Sequence, residues 1–186
     1  MVSQQEPAEI AGDWEALARA QGGSEEEWSL LFKRHSPVLL RIAALMTGSR
    51  DAAHDCVQEA FVRILRADIR HRDGSLRAYL STIVYRLALK ENIRRNKHAS
   101  LPGDSPESLD LSPLDSTLAD ERQRGVRRVL ESLPGVQRDV LVLRLHGGHS
   151  YEDIAGITGV SIGTVKSRMF YAVKAAQKEL RKRGLI

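Results

Sequence analysis

The sequence predicts an all-α protein made of two small helical domains that a flexible, acidic linker joins. Apolar residues recur at helical spacing over long stretches, few segments alternate as strands do, and aromatic residues are only 5% of the chain. The 186 residues are 42% hydrophobic, which suffices for one ordinary domain or two small ones. Residues 98–121 contain three prolines and no Lys or Arg, a composition typical of a linker.

Charge is segregated along the chain. The formal net charge is −6 over residues 1–32, +8 over 33–97, −6 over 98–121 and +8 over 122–186. Two basic modules on either side of an acidic linker are expected where two sites contact a polyanion such as nucleic acid. A solvated surface of a soluble protein is the alternative explanation of the same pattern.

Several protein classes are excluded by simple features. The N-terminus is acidic and lacks a cationic start followed by an apolar run, so it does not resemble a secretory signal. No stretch reaches the ~20 apolar residues that cross a bilayer. The single cysteine, Cys56, excludes a disulfide framework and a cysteine-rich zinc finger. We therefore expect a cytoplasmic protein.

The first domain is predicted over residues 24–97, after an acidic extension at 1–23. The extension has an amphipathic hint at residues 14–18, and it is either disordered or docks a partner. Two helical blocks are expected on either side of Pro37. Asp51 is expected to cap the next helix, whose predicted apolar face is Val57, Ala60, Phe61, Ile64 and Leu65.

The last helix of this domain is predicted to begin at Ser75, as the N-cap, and to run to about Asn96. Its apolar side chains share one face of a helical wheel, and Tyr85 falls on the opposite face. The helix ends in a basic run at residues 94–97. Its predicted core residues are Leu76, Leu80, Ile83, Val84 and Leu87.

The second domain, residues 122–186, contains a predicted helix-turn-helix. Apolar residues, including Val136, first mark helical turns around Pro134. Ser150 then caps a short helix, Gly159 ends it, and Ser161 or Thr164 begins a longer one. The expected core face of the longer helix is Val165, Met169, Ala172, Val173, Ala176 and Leu180.

The other side of that helix is basic and carries Phe170 among lysines. An aromatic side chain on a solvent-facing, cationic surface has little structural purpose, so we interpret this side as a DNA-reading surface. Lys166 and Ser167 would meet base edges in the major groove, with Phe170 against a thymine methyl group. A basic face that is merely solvated is the alternative.

Residues 133–180, and above all the run GTVKSR at 163–168, resemble region 4 of bacterial extracytoplasmic-function (ECF) sigma factors. Response-regulator helix-turn-helix domains share a similar pattern. Residues 51–65, DAAHDCVQEAFVRIL, resemble sigma region 2.2, and residues 75–95 resemble regions 2.3 and 2.4. The resemblance covers residues 27–184, and its order of motifs favours the sigma factors.

The resemblance implies a dissociable subunit of RNA polymerase that recognises the −10 and −35 promoter elements and helps to melt DNA. It implies no catalysis, no cofactor and no metal, and it implies control by an anti-sigma factor. Region 4 would also contact the flap of the β subunit. The promoter sequence and the inducing signal are not encoded in any motif that we recognise.

The resemblance also nominates residues for three surfaces. Contact with the β′ clamp helices is implied for Asp51, Asp55, Gln58 and Glu59. Recognition of the −10 element is implied for Tyr79, Tyr85, Arg86, Arg94, Arg95 and, in the 70–75 loop, Arg72. Recognition of the −35 element is implied for Lys166, Ser167 and Phe170 at bases and for Arg168, Arg144 and Lys174 at phosphates.

This chain departs from the family pattern within the −10 region. Tyr79 stands where the family usually has Trp, and Arg86 stands where Asn is common. The base preference of the −10 surface is therefore left open. The departure at Arg86 also leaves room for a sigma mimic, an interaction protein that binds anti-sigma factor without directing transcription.

An enzyme and a self-sufficient DNA-binding regulator are the two other candidate functions. An enzyme built on Cys56 lacks support, because His54 lies two residues away, a spacing that does not bring two helical side chains together. His146 and His149 are too few ligands for a zinc site. A self-sufficient DNA-binding regulator would need a receiver or ligand domain, and residues 1–97 lack the alternation of strands and helices that a receiver would bring.

Overall fold

The computed structural model of the chain describes residues 7–67, 74–98 and 117–186. Within these ranges every regular element is an α-helix, which confirms the predicted fold class. The predicted linker lies mostly outside the described residues, and its last five positions belong to the fifth helix. The helices are α1 (Pro7–Gln21), α2 (Glu25–Thr47), α3 (Arg50–Arg66), α4 (Leu76–His98), α5 (Thr117–Ser132), α6 (Gly135–Leu145), α7 (Tyr151–Thr158) and α8 (Ile162–Lys182).

Serine side chains cap the N-termini of α2, α3, α4, α7 and α8, whereas α6 follows Pro134 and has no side-chain cap. Ser75 caps α4, since its Oγ accepts the Ala78 backbone N–H at 3.1 Å. The predicted cap of α3 was wrong by two residues. Ser49, not Asp51, is the N-cap of α3, and its Oγ accepts the Ala52 N–H, while Asp51 lies in the first turn. A carboxylate there still favours the helix through the N-terminal dipole.

Helix α2 runs through Pro37 without a break, whereas the sequence analysis expected two blocks. Proline removes one backbone donor, which leaves the carbonyl four residues earlier, at Lys33, without its helical partner. Both residues are exposed, so this carbonyl lies on the side of α2 where water can bind it. The proline therefore costs α2 less than it would on a buried face.

The first core lies between α1, α2, α3 and α4. The extension predicted as separate, residues 1–23, contributes to it through α1, whose Trp14, Ala16, Leu17 and Ala20 are buried. The predicted apolar faces of α3 and α4 are confirmed. Their fully buried members are Val57, Ala60, Phe61, Ile64, Leu76, Leu80 and Val84.

A buried ionic cluster fixes α1 on α2. The Asp13 carboxylate lies 2.9 Å from His35 Nε2 and also pairs with Arg34. Asp13 and His35 are both buried. Burial alone would raise the pKa of Asp13, but His35 and Arg34 outweigh it and hold that pKa below its usual value.

The second core joins α5–α8 to the same two helices that support the first. Ile42 and Met46 of α2 and Tyr85 and Ala88 of α4 pack against it. The two predicted domains are therefore in direct contact in this structure. Two predicted core residues, Val136 and Val173, instead lie at the surface, with 47% and 40% of their area exposed.

We expect Asp13→Ala to lower the free energy of unfolding by about 3 kcal/mol, because His35 then stays buried without its acid. Urea unfolding at pH 7 measures this. Glu15→Ala is the matched control. Glu15 lies on the same helix, but its side chain is 73% exposed, so its loss should change stability by under about 0.5 kcal/mol. Equal effects of the two variants would contradict the anchoring role of Asp13.

Candidate nucleic-acid and protein interfaces

The helix-turn-helix of α7 and α8 is built by three local features at positions that the sequence predicts. Ser150 and Asp153 form a reciprocal capping box, in which Ser150 Oγ accepts the Asp153 N–H at 3.0 Å and Asp153 Oδ2 accepts the Ser150 N–H at 3.0 Å. Gly159 ends α7 in the left-handed region, at φ 71°. Ser161 then caps α8. These devices fix the helix-turn-helix geometry.

One face of α8 is free of packing and carries cations. Lys166, Ser167, Phe170 and Lys174 are exposed, and Phe170 leaves 63% of its area open. Its ring meets Tyr171 edge-on, with centroids 5.4 Å apart. Val165, Met169 and Ala172 bury the opposite face. The predicted DNA-reading residues thus share one accessible surface on the second helix of the helix-turn-helix.

Two cations nominated for phosphate contact lie elsewhere. Arg144 donates to the His149 carbonyl at 2.7 Å and lies over the Tyr151 ring, 5.1 Å from its centroid. Its guanidinium therefore holds the loop before α7. Arg168 is half-buried, and its charge partly offsets the burial that raises the pKa of Asp139, so it lies near the contact between the two cores.

The loop before α7 has little freedom at Gly147. A Cβ there would lie 2.5 Å from His149 Cδ2 and 2.6 Å from the Leu143 carbonyl oxygen. Because the neighbouring ring and backbone fill this space, only glycine lets His149 keep its buried position.

The acidic face of α3 is exposed. Asp51, Asp55, Gln58 and Glu59 all face solvent, while Val57 and Phe61 point into the first core. Glu59 Oε1 accepts a bond from Arg63 Nε at 2.7 Å, an exposed pair of small energetic weight. The nominated polymerase-binding residues therefore form one accessible, mostly anionic surface.

The residues nominated for the −10 element differ in exposure and in the contacts that they make. Tyr79 is half-buried against Trp14, with ring centroids 5.9 Å apart, and Arg86 is exposed. Arg94 is exposed and pairs with Glu91 at 2.8 Å, whereas Arg95 donates to the Thr47 carbonyl at the end of α2. Arg72 lies outside the described residues.

Tyr85 is not on an exposed face, which corrects the prediction from the helical wheel. Only 8% of its area is exposed, and its hydroxyl donates to Asp139 Oδ2 of α6 at 3.3 Å. Burial, with the Asp139 carboxylate beside it, raises the pKa of Tyr85 to about 12. In this arrangement the second core covers one of the nominated −10 residues.

A second polar pair joins α4 to the loop before α7. His149 Nε2 lies 2.9 Å from Ser81 Oγ, and both residues are buried. Burial lowers the pKa of His149 to about 4, and burial raises the pKa of Asp139 to about 6. Sequence reasoning did not single out Ser81 or Asp139. The only signal was a polar residue inside an apolar helical run.

Among the residues that the structure describes, the two side chains considered for an enzyme lie apart. Cys56 is buried, and burial raises the pKa of its thiol to about 11, while His54 is exposed on another side of α3. No group of three or more His, Cys, Asp or Glu side chains is placed to hold a metal ion among these residues. None of the described helices combines the length and apolarity needed to span a membrane.

Known families match both halves of the chain. The family model "Sigma-70 region 2" matches residues 31–99, and "Sigma-70, region 4" matches residues 123–175. The RNA polymerase sigma-H factor of Pseudomonas aeruginosa is 30% identical over an alignment of 186 positions, which covers 90% of this chain and 93% of that protein. The ECF RNA polymerase sigma-E factor of Escherichia coli K12 is 30% identical over an alignment of 182 positions, which covers 88% of this chain and 92% of that protein.

Solved structures show the same fold. CnrH in complex with the cytosolic domain of CnrY aligns with a TM-score of 0.70 and 22% identity, covering 91% of this chain and 97% of that one. The sigma factor RpoE of Bartonella quintana, in complex with the anti-sigma factor NepR, aligns with a TM-score of 0.66 and 24% identity, covering 84% and 98%.

We expect Asp139→Asn to gain stability over the wild type as pH rises. The folded pKa of Asp139, about 6, lies above its usual value of 3.8, because burial outweighs Arg138, Tyr85 and Arg168. Its contribution to stability is therefore complete below pH 3.8 and is lost as pH rises through about 6. Urea unfolding of both proteins between pH 4 and 7 measures the difference.

His149→Gln is the companion variant, with the opposite trend. The folded pKa of His149, about 4, lies below 6.5, because burial and Arg77 outweigh Asp153. Its contribution is complete above pH 6.5 and is lost as pH falls toward 4. The stability of the variant should therefore increase relative to that of the wild type as pH falls. A pH-independent difference for both variants would rule out buried titrating groups at this contact.

Proposed function

The chain belongs to the ECF group of RNA polymerase sigma factors, and from this membership we propose how its surfaces divide the work of promoter recognition. A sigma factor binds core RNA polymerase and directs initiation at specific promoters. We assign region 2 to residues 24–97 together with α1, and region 4 to residues 122–186. We place its action in the cytoplasm with the polymerase, without catalysis of its own.

The exposed face of α8 is our candidate reader of the −35 element. The observation that carries this proposal is Phe170, which is 63% exposed on the second helix of a helix-turn-helix, between Lys166 and Lys174. A ring this exposed contributes little to the core, but it can contact a thymine methyl group in the major groove. The lysines supply charge for base edges and phosphates.

The exposed face of α3 is our candidate contact with the polymerase. Asp51, Asp55, Gln58 and Glu59 present carboxylates and amides side by side, and the helix beneath them is fixed by the first core. Such a surface suits a basic partner helix, because complementary charges speed association and set the register.

The exposed side of α4 is our candidate surface for the −10 element. Tyr79 offers part of a ring for stacking, and Arg86 and Arg94 offer cations for the strand backbone. The Arg94–Glu91 pair is exposed and weak, so a phosphate can replace Glu91. We keep Arg72 as a candidate from the family pattern.

The two units must separate on a promoter. The −10 and −35 elements are about 25 base pairs apart, or ~85 Å at 3.4 Å per base pair. In this structure, however, α7 and α8 belong to a core that includes Tyr85 and Ala88 of α4. We propose that this closed form is the unbound state and that polymerase binding opens it, which also uncovers Tyr85.

We further propose an anti-sigma factor as a regulatory partner. The Bartonella quintana relative was solved with such a factor bound, and this chain shares its fold. A partner that favours the closed form would keep Tyr85 covered.

The first test is run-off transcription from a pool of promoter fragments, with and without sigma-free core polymerase. We expect specific transcripts only when chain and core are both present. Sequence-specific DNA binding by the chain alone, without stimulation of core, would replace this proposal with a self-sufficient regulator. Core binding without transcripts would indicate a sigma mimic.

We expect Lys166→Ala and Phe170→Ala each to reduce discrimination between the cognate −35 element and a base-substituted one about tenfold. Transcript yields on the two templates measure this ratio. Lys182→Ala is the control, because Lys182 is an exposed lysine of α8 about 24 Å further along the helix. An equal loss in all three variants would mean that only general positive charge matters.

We expect Asp55→Lys to weaken binding to core polymerase at least tenfold, because a cation would face a basic partner. Fluorescence anisotropy of labelled chain against core measures the affinity. Glu25→Lys makes the same charge reversal at an exposed position in the first turn of α2 and should bind nearly as the wild type does. Similar losses in both variants would place the contact elsewhere or make it one of net charge.

A further inference from the structure

Helix α1 lies before the family-matched region, which starts at residue 31, yet its side chains reach both ends of the α3–α4 connection. Trp14 contacts the start of α4, and Gln21 contacts the end of α3. Neither contact follows from the motifs that identify the family, and neither has a role in the functions assigned above.

The contact at α4 is a hydrogen bond plus a ring contact. Trp14 Nε1 donates to the Gly74 carbonyl at 2.9 Å, two residues before α4 begins. The Trp14 ring is buried and lies against Tyr79, with centroids 5.9 Å apart and planes inclined at 56°. Tyr79 is the aromatic side chain of the candidate −10 surface. Its position therefore depends directly on Trp14.

The contact at α3 satisfies a helix end. Gln21 Nε2 donates to the Ile64 carbonyl at 2.7 Å and to the Ala67 carbonyl at 2.8 Å. The last carbonyls of a helix have no partner within it, so a side-chain amide with two donors fixes where the helix stops.

Helix α1 is rigid enough to act as a spacer between these ends. Trp14 and Gln21 are seven residues apart, which puts them on one face about 10 Å apart along the axis. The Asp13 cluster and an ion pair from Arg19 to Glu27, at 2.7 Å, fix α1 on α2. The end of α3 and the start of α4 are thus held at a set separation by a third helix.

We propose that Trp14 and Gln21 are positioning residues that determine base choice at the −10 element, by fixing the start of α4 and the ring of Tyr79. Burial alone does not account for them, because an apolar side chain at either position would fill the same space without donors aimed at those carbonyls. The inference rests on the proposed −10 role of α4.

The test compares Trp14→Phe and Gln21→Met with the wild type on two promoter sets. One set carries every single-base substitution in the −10 element behind a fixed −35 element, and the other varies only the −35 element. Trp14→Phe keeps a buried ring but loses the donor, and Gln21→Met keeps the length but loses both donors. Trp28→Phe is the control, because it makes the same change at another tryptophan of the first core, whose ring packs edge-on against Phe61 with centroids 5.4 Å apart.

We expect Trp14→Phe, which loses one hydrogen bond, to lose about fivefold in discrimination at one or more −10 positions, the ratio that one neutral hydrogen bond supports. Gln21→Met, which loses two, should lose at least as much. Discrimination at −35 and affinity for core should stay unchanged, and Trp28→Phe should behave as the wild type does.

Three outcomes would overturn the inference. If the α1 variants reduce transcription by the same factor on all promoters, Trp14 and Gln21 contribute to stability alone. The same loss in Trp28→Phe would show a general effect of core substitutions. Unchanged −10 ratios in both α1 variants, with wild-type transcripts present, would refute positioning itself. If the wild type yields no transcripts with core, the proposed function fails first and this inference fails with it.

Discussion

Helices α2 and α4 are each buried on two sides, and the rest of the structure depends on this constraint. One side of each helix supports the first core with α1 and α3, and another supports the second core with α5–α8. The remaining side of α4 carries the candidate −10 surface, and the other two candidate surfaces lie on α3, in the first core, and on α8, in the second. The acidic face of α3 and the basic face of α8 are therefore separated on the molecule, as suits a subunit with both a protein partner and a DNA partner.

The contact between the two cores includes two buried polar pairs beside its apolar side chains. Tyr85 meets Asp139, and Ser81 meets His149, each pair buried between α4 and the C-terminal helices. Buried polar pairs contribute little net stability, since water can replace each bond once the surfaces part. They do specify one docking geometry, because a shifted arrangement would leave these groups unsatisfied. The polar pairs thus define how the two cores dock without adding much to the cost of separating them.

Sequence predicted the local features well and the long-range ones poorly. The capping box at Ser150, the turn at Gly159 and the apolar faces of α3 and α4 follow from spacing within a few residues. Tyr85 was assigned to the wrong environment because its partner lies 54 residues away, and Arg95 bonds the end of a helix 48 residues before it. The packing of α1 was missed for the same reason. Family motifs supplied the function, but they say nothing of contacts that they do not contain.

The state of Cys56 has a practical consequence for studying this molecule. It is the sole cysteine, it is buried, and its thiol has a pKa of about 11, so almost none of it is thiolate at neutral pH. Maleimide dyes react with thiolates that they can reach. The natural chain should therefore react very little with such dyes, so Cys56 need not be replaced before labelling. One cysteine introduced on the exposed side of α3 and another on that of α8 would carry a dye pair, whose energy transfer follows the distance between the two halves in single molecules.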